Sequence, residues 1–261
     1  MVRSNIFDLT GKVAAVIGGA SGIGEAVTIG AAGMGATVVC LDVKADAAKA
    51  VAARAGGDAT SDALDITDSA AVERVLGGIA ARHGRLDIVI STPSINVRKK
   101  MLDYLPGDIE RVLNVNIVGT FNVLRSAGKI MVEQRGGSIV LFSSIRSLVV
   151  EPGQAVYSAT KAGILQLARG GASEFGPFGV RVNCVGPGVV ETPLTAPIKA
   201  IPDWYNAYAQ KNAFSRWASP EEMVGPTLFL ASDAASYVNG SIIYADGGWL
   251  AQDGRFTPPG M

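Results

Sequence analysis

Metal-binding and cross-linking side chains are scarce in this chain of 261 residues, which contains two cysteines and one histidine. Cys40 and Cys184 each lie within an apolar, strand-like run, so buried free thiols are favoured over a disulfide or a metal pair. Because His83 is the only imidazole, a structural or catalytic zinc site is not expected.

The chain also lacks an excess of either charge, with 23 Lys and Arg residues against 23 Asp and Glu residues. Without a basic surplus there is no general electrostatic attraction to nucleic acid. The N-terminus contains no apolar signal-peptide core, and no apolar run approaches the length of a membrane span. We therefore expect a cytoplasmic protein that binds neither nucleic acid nor membranes.

Short apolar runs alternate with segments of helical periodicity, in a chain that is 48% hydrophobic and 18% charged. Buried strands are predicted at 12–18, 37–42, 62–66, 86–91, 138–143, 180–185 and 241–245. Helices are predicted at 22–35, 45–55, 70–83, 106–133, 154–174 and 221–231. This alternation implies right-handed crossovers and a doubly wound, parallel, seven-stranded sheet with helices on both faces, an α/β fold.

No linker or charge block divides the sequence, so we predict one domain over residues 1–261. The alternation is interrupted at about 192–217, where prolines and aromatic residues are concentrated, and we expect this segment to be a substrate-loop insertion. A C-terminal tail is predicted at about 250–261.

A glycine-rich turn separates the first predicted strand from the first predicted helix and contains Gly18, Ser21, Gly22, Ile23 and Gly24. Glycines permit a tight turn and a close backbone approach, and the free N–H groups of a helix N-terminus bind a pyrophosphate. Glycine clusters alone are weak evidence in a chain with 32 glycines, so the position after the first strand is what indicates a dinucleotide site.

Asp42 ends the second predicted strand, about where dinucleotide-binding folds place the acid that binds the adenosine ribose. Its carboxylate would accept hydrogen bonds from the ribose hydroxyls and repel a 2′-phosphate, which favours NAD over NADP as cofactor. Lys44 argues the other way, because its ammonium could reach a phosphate. The alternative is that Asp42 only supports the turn before Lys44.

Tyr157 and Lys161 stand four residues apart in a segment of helical periodicity, so their side chains project from one helix face. A free phenol has a pKa of about 10, and a fixed positive charge nearby favours the phenolate. The pair therefore predicts a general acid/base usable near neutral pH. Ser144 follows the fifth predicted strand, which could hold its hydroxyl still. The alternative is an ordinary surface tyrosine and lysine.

Together these motifs resemble the short-chain dehydrogenase/reductase family over nearly the whole chain. The family's Thr-Gly-x3-Gly-x-Gly matches the glycine turn with Ile17 in place of threonine, and its Ser, Tyr and Lys match Ser144, Tyr157 and Lys161. The resemblance implies a Rossmann-type fold and hydride transfer to or from nicotinamide. In it, Tyr157 exchanges a proton with the substrate oxygen, Lys161 binds the nicotinamide ribose and Ser144 orients the substrate.

The resemblance implies further site residues. Asn116, in the family's Asn-x-x-Gly, would hold a water that extends a proton relay from Lys161. The dinucleotide contacts it implies are Asp65, Ile66, Ser91, Pro187, Gly188, Val190 and Thr192, although Asp65 could merely support the turn before Asp68. One departure is that the family's Asn-Asn-Ala-Gly is replaced by residues 91–94, Ser-Thr-Pro-Ser. There, Pro93 has no N–H and Ser94 replaces a flexible glycine.

Within the family, the pattern is similar to the gluconate 5-dehydrogenase and keto-deoxy-gluconate dehydrogenase-like members. Arg98 and Arg146 could pair with a substrate carboxylate, and Trp204 could cover the substrate; the alternatives are solvated arginines and a packing aromatic. We therefore expect a small sugar acid, polyol or hydroxy acid as substrate. The resemblance also implies a homo-oligomer, a tetramer.

Two other functions stay open at the level of sequence. The chain could be a 3-oxoacyl-thioester-type reductase, although Asp42 argues against the NADP that such reductases usually use. It could also be a dinucleotide-binding sensor or scaffold without turnover, although binding alone does not require Ser144, Asn116, Tyr157 and Lys161 together.

Overall fold

Seven parallel strands form one sheet within residues 5–252, the part of the chain that this computed structural model describes. The strands are β1 (Val13–Ile17), β2 (Thr37–Asp42), β3 (Thr60–Ala63), β4 (Ile88–Ser91), β5 (Gly137–Phe142), β6 (Val180–Pro187) and β7 (Ile242–Ala245). Their order across the sheet is β3-β2-β1-β4-β5-β6-β7. The predicted single-domain α/β fold is confirmed.

The helices that connect these strands cover both faces of the sheet. They are α1 (Gly22–Gly33), α2 (Ala45–Ala55), α3 (Ser69–His83), α4 (Pro106–Leu113), α5 (Thr120–Gln134), α6 (Ala155–Phe175), α7 (Ala196–Lys199), α8 (Pro202–Lys211) and α9 (Val224–Ala231). Within the described residues, none of these helices combines the length and apolarity needed to cross a membrane.

The two largest apolar clusters of the described core form layers, one on each face of the sheet. Ala15 and Ile17 of β1 face the layer that contains Leu76 of α3, whereas Ala14 and Val16 face the layer that contains Val27 of α1 and Leu228 of α9. Alternate residues of a strand point to opposite faces. This burial on both faces explains why the central strands are continuous apolar runs rather than alternating ones.

The third strand lies earlier than predicted, at Thr60–Ala63 instead of 62–66. It is an edge strand with polar, largely exposed residues, and its pairing with β2 ends at Ala63 opposite Asp42. Leu64 and Ile66 are buried in the core from the loop that follows, so their apolar character does not mark a strand.

The long helix predicted at 106–133 is interrupted in its middle. A π-helical turn, Asn114–Gly119, lies between α4 and α5 and includes the predicted site residue Asn116. The segment 192–217, predicted to break the alternation, contains α7 and α8. The predicted tail of about 250–261 lies, after residue 252, outside the described residues.

Candidate active site

A cleft of about 660 Å³ opens at the carboxyl ends of the strands. β1 and β4 are neighbours at its centre, and the strand order reverses between them, which is where open α/β sheets bind their ligands. The predicted residues that border the cleft are Gly18, Ser21, Gly22, Ile23, Gly24, Asp42, Asp65, Ile66, Ser144, Tyr157, Lys161, Pro187, Gly188, Val190 and Thr192. Ser91, Arg98, Asn116, Arg146 and Trp204 are not among its lining residues.

The glycine turn is packed too closely for side chains. Gly18 has a φ of +77°, and a Cβ there would lie 2.4 Å from Thr92 Oγ1. A Cβ at Gly24 would lie 2.0 Å from the Gly18 carbonyl oxygen. Both contacts are shorter than real Cβ atoms allow, so only glycine lets the start of α1 approach β1 in this way. The α1 N-terminus therefore faces the cleft with its N–H groups accessible to an anion.

The Asp42 carboxylate is held in place at the end of β2. Its Oδ2 accepts a hydrogen bond from the Ala20 N–H at 3.2 Å, and its Oδ1 accepts one from the Lys44 N–H at 3.0 Å. Asp42 thus supports the turn before Lys44 and also borders the cleft. The turn-supporting role is therefore present in this structure, and binding of the adenosine ribose by Asp42 stays a prediction.

Asp65 likewise has a structural role beside the cleft. Its Oδ1 accepts hydrogen bonds from the Thr67 N–H at 2.8 Å and the Thr67 hydroxyl at 2.7 Å. Ile66 packs against the backbone of Gly119, where a Cβ would lie 2.6 Å from Ile66 Cγ1. The loop after β3 therefore forms one wall of the cleft, held from below by the π-helical turn.

The segment that replaces the family's Asn-Asn-Ala-Gly still holds the glycine turn. The Thr92 hydroxyl donates to the Ile17 carbonyl oxygen at 3.0 Å and lies 3.3 Å from the Gly18 carbonyl oxygen. Ser91, which was predicted to contact the dinucleotide, is a buried residue of β4 and does not border the cleft. Thr92, Pro93 and Ser94 do border it, because the chain turns out of the sheet only after Ser91.

The three residues of the predicted catalytic set that border the cleft come from two neighbouring elements. Ser144 follows β5, and its Oγ accepts a hydrogen bond from the Arg146 N–H at 3.1 Å. Tyr157 and Lys161 lie one turn apart on α6, and Lys161 Nζ is 5.5 Å from the centroid of the Tyr157 ring. Lys161 is only 2% exposed, and its Nζ donates to the Phe142 carbonyl oxygen at 2.8 Å.

The ionisation of this pair differs from the sequence-based prediction. Burial raises the pKa of Tyr157 to about 12, an effect larger than the opposing influence of the Ser144 hydrogen bond and the Arg146 charge. Burial also lowers the pKa of Lys161 to about 8. The prediction that Lys161 brings Tyr157 toward neutral pH is therefore wrong for this structure, because desolvation penalises both charged forms.

Asn116 lies beneath the cleft and is fully buried. Its Nδ2 donates to the Ile95 carbonyl oxygen at 2.9 Å and to Thr160 Oγ1 at 3.0 Å, and its Oδ1 accepts from the Ile95 N–H at 2.9 Å. The side-chain amide therefore joins the segment after β4 to α6. The relay role implied by the family stays a prediction.

Arg98 and Arg146 converge on one carboxylate that the sequence analysis missed, Glu151. Arg146 donates to Glu151 Oε2 at 2.7 Å, and Arg98 donates to Glu151 Oε1. The hydroxyl of Tyr208 also donates to Glu151 Oε1. Burial by itself would raise the pKa of Glu151, but the bonds from Tyr208 and Arg98 and the Arg146 charge bring it below its ordinary value.

These two arginines are also packed against aromatic rings. The Arg98 guanidinium lies 4.8 Å from the centroid of Trp204, and Arg146, which is 7% exposed, lies 5.5 Å from the centroid of Trp249. Both guanidinium charges oppose the effect of burial on the pKa of Tyr157. The result is a polar cluster with two cations and one anion.

The residues of the cleft fit a nicotinamide dinucleotide. The glycine cradle would be filled by any Cβ, Asp42 is presented by backbone N–H groups, and Lys161 provides a buried ammonium. Among the described residues, no group of three or more His, Cys, Asp or Glu side chains could hold a metal ion.

Comparison with known proteins agrees with this geometry. Residues 18–250 match the family model described as enoyl-(acyl carrier protein) reductase. D-threitol dehydrogenase of Mycolicibacterium smegmatis is 36% identical over 93% of this chain and 94% of its own length. The 3-oxoacyl-(acyl-carrier-protein) reductase FabG of Thermotoga maritima is 35% identical over 92% of this chain and 98% of its own length.

A solved structure shares the same fold. The crystal structure of a gluconate 5-dehydrogenase from Burkholderia cenocepacia in complex with NADP and tartrate superposes with a TM-score of 0.91. It is 29% identical and covers 95% of this chain and 98% of the other.

Proposed function

The chain belongs to the short-chain dehydrogenase/reductase family, and from that premise we propose that it interconverts a secondary alcohol and a ketone on a small hydroxylated acid or polyol. The observation that carries the proposal is the convergence, in one cleft, of Ser144, Tyr157 and Lys161 with a glycine turn that fits a pyrophosphate. When bound, a nicotinamide dinucleotide supplies or takes up the hydride.

Tyr157 moves the proton in this proposal. Its protonated phenol, favoured by burial, donates to the oxygen of a ketone, and the phenolate accepts the proton of an alcohol. Ser144 Oγ already accepts from the Arg146 N–H, so its hydrogen is directed to another acceptor, and we assign that acceptor as the substrate oxygen. This second contact would fix the oxygen beside the phenol.

Lys161 is assigned to the cofactor ribose. Its ammonium has three donors, of which one is used by the Phe142 carbonyl oxygen. With a pKa of about 8, the group is mostly charged at neutral pH and can donate to ribose hydroxyls. The same charge, 5.5 Å from the Tyr157 ring centroid, would favour the phenolate while the proton is being transferred.

The choice between NAD and NADP is assigned to Asp42. A carboxylate in this position accepts ribose hydroxyls and repels a 2′-phosphate, which was the basis for predicting NAD. The similar gluconate 5-dehydrogenase was crystallised with NADP, which does not support that preference. We therefore propose a nicotinamide dinucleotide as cofactor, with Asp42 as the residue that discriminates between the two forms.

The proposed substrate class is supported by the polar cluster of Arg98, Arg146 and Glu151. Arg98 and Arg146 share the single carboxylate of Glu151, so the cluster retains one uncompensated positive charge. A substrate carboxylate would pair with it, and substrate hydroxyls would replace water at the remaining donors. A long acyl chain would instead place methylene groups against buried charged side chains, which is unfavourable.

A second candidate function is supported by the likeness to FabG, a 3-oxoacyl-(acyl-carrier-protein) reductase. The chemistry at Tyr157 would be the same, and the two functions differ only in the groups beside the reacting carbon. A dinucleotide-binding sensor or scaffold would bind the cofactor without any turnover.

The experiment is a substrate panel with both cofactors. It comprises six-carbon sugar acids, the matching polyols, short hydroxy acids and 3-oxoacyl thioesters. Turnover of sugar acids with higher kcat/KM than the matching polyols supports the proposal, whereas activity confined to long acyl thioesters refutes the substrate class. Cofactor binding with no turnover on any substrate would favour the sensor.

Tyr157→Phe tests the chemistry. We expect it to abolish turnover while dinucleotide binding, followed by fluorescence titration, is retained. Tyr237→Phe is the matched control, because Tyr237 is fully exposed and should tolerate the same change. Near-normal turnover in Tyr157→Phe would refute the mechanism.

We also propose that the chain forms a homo-oligomer, the predicted tetramer. Apolar side chains on α4, the π-helical turn and α5 are exposed in the single chain, namely Ile109, Leu113, Val118 and Phe121. Burying such a face against a second copy would be favourable. Light scattering of the purified protein tests the oligomeric state.

A further inference from the structure

The segment that follows β4 is held on both sides of Ser94. On one side, the Thr92 N–H and hydroxyl both donate to the Ile17 carbonyl oxygen at 3.0 Å. On the other side, the N–H and carbonyl oxygen of Ile95 are both paired with the Asn116 amide at 2.9 Å. Pro93, between them, has a fixed φ. Ser94 is therefore presented to the cleft by a backbone with little freedom.

The hydroxyl of Ser94 is unusual among the polar groups of the described chain. Its Oγ is buried, yet it makes no hydrogen bond of ordinary geometry. A buried hydroxyl without a hydrogen-bond partner lowers the stability of the fold. Where such a hydroxyl borders a cleft, a function in that cleft would explain its presence. It lies near the Tyr157 hydroxyl, where it opposes the effect of burial on the pKa of that phenol.

We propose that Ser94 is a positioning residue that donates a hydrogen bond to the Tyr157 oxygen when that oxygen gives up its proton. The proposal rests on the proposed function, in which Tyr157 is the acid/base. No bond to Ser94 forms or breaks. The proton passes only between Tyr157 and the substrate oxygen, and the Ser94 hydroxyl turns toward the charge that this leaves.

Ser94 can donate this hydrogen bond because it stands where the family's motif has a glycine. A glycine at this position offers no side chain to the phenolate, whereas a serine adds one donor. The donor is needed here because burial strongly disfavours the charged phenol. Lys161 stabilises the phenolate only in part, because one of its N–H groups donates to the Phe142 carbonyl oxygen.

The experiment measures the pH dependence of kcat/KM for alcohol oxidation in Ser94→Ala, Ser94→Gly and Ser94→Thr. Oxidation requires the phenolate, so the rate rises through the Tyr157 pKa. Loss of one donor to a charged oxygen should raise the pKa of Tyr157 by about one unit, which lowers kcat/KM roughly tenfold at every pH below the midpoint. Ser94→Thr retains the hydroxyl and should keep the native midpoint.

Ser126→Ala is the matched control, because Ser126 is a buried serine of α5 that also lacks a hydrogen-bond partner but does not border the cleft. It should leave the midpoint unchanged. If Ser94→Ala and Ser94→Gly keep the native midpoint, the proposal is overturned. It is also overturned if Ser94→Thr shifts as far as Ser94→Ala, because packing rather than the hydroxyl would then be responsible. Ser94→Gly, which introduces the family's residue, serves if Ser94→Ala does not fold.

A measurement without turnover separates this proposal from the proposed function. Tyrosine labelled with 13C at Cζ reports ionisation of each phenol by NMR, and the Tyr157 resonance is identified by its loss in Tyr157→Phe. An inactive native protein would refute the proposed function. A later onset of Tyr157 ionisation in Ser94→Ala than in the native chain would still support the role of Ser94, and an unchanged onset would overturn it.

Discussion

Asn116 should contribute more to stability than any ordinary helix amide, because it satisfies both backbone groups of a residue on another segment. Asn116→Ala removes the hydrogen bonds to the Ile95 N–H, the Ile95 carbonyl oxygen and the Thr160 hydroxyl. Thr160 keeps a partner, since its hydroxyl also donates to the Tyr157 carbonyl oxygen at 2.7 Å. The cost therefore comes mainly from the two backbone groups of Ile95.

The expected loss of stability follows from the free-energy penalty of unpaired backbone groups that are partly buried. At about 1–2 kcal/mol for each of the two groups, we expect Asn116→Ala to lower the free energy of unfolding by about 2–4 kcal/mol. For a domain of this size, this corresponds to a fall in Tm of roughly 10 °C. Urea denaturation at one fixed protein concentration measures it, and the fixed concentration matters because association also contributes to apparent stability.

Asn122→Ala is the matched control in the same helical segment. Asn122 is also buried, but within the described residues its amide makes one hydrogen bond, from Nδ2 to the Ile66 carbonyl oxygen at 2.9 Å. Its loss should cost about 1 kcal/mol. If Asn116→Ala costs no more than Asn122→Ala, the hydrogen bonds to Ile95 do not hold the segment, and the reasoning is refuted.

Two further predictions concern charged groups of the cleft. Asp42→Ala should raise kcat/KM with NADP relative to NAD by roughly tenfold, equivalent to about 1.4 kcal/mol of removed repulsion; an unchanged ratio would show that Asp42 does not discriminate. Lys161 has a folded-state pKa of about 8 against an ordinary 10.5, so the unfolded chain binds more protons between these values and the native protein gains stability as the pH rises from 8. Lys161→Met should lack this gain in parallel urea titrations. Taking the difference between the two proteins removes the opposite contribution of Cys40, whose pKa burial raises. Identical pH profiles of the two proteins would contradict the prediction.

Much of the fold could be predicted because its central strands are buried on both faces. β1, β2, β4 and β5 each appear in the sequence as apolar runs between turns, and their predicted positions are confirmed within two residues. The edge strand β3 has no such signal, since its residues are polar and the apolar positions lie just after it. The π-helical turn could not be predicted either, because it occurs inside an otherwise uninterrupted helical pattern.

The site was predictable where residues act at short spacing and not where distant segments meet. Tyr157 and Lys161 are four residues apart, whereas Glu151 gains its role from Arg98, 53 residues earlier, and Tyr208, 57 residues later. No spacing in the sequence indicates that three-way contact. The pKa of Tyr157 could not be predicted for a related reason: it depends on how deeply the folded chain covers the phenol.

The pairing of β1 with β4 has a consequence for how the protein reaches its native state. These neighbours are separated in sequence by β2 and β3 with their helices, so the cleft does not exist until a long stretch of chain has closed. The glycine turn precedes the closed stretch of chain, and Thr92, Ser94 and the proposed catalytic residues follow it. A dinucleotide that requires both sides binds only the closed chain and, by mass action, increases its population. Cellular cofactor supply would thereby act on the abundance of the folded protein as well as on its turnover.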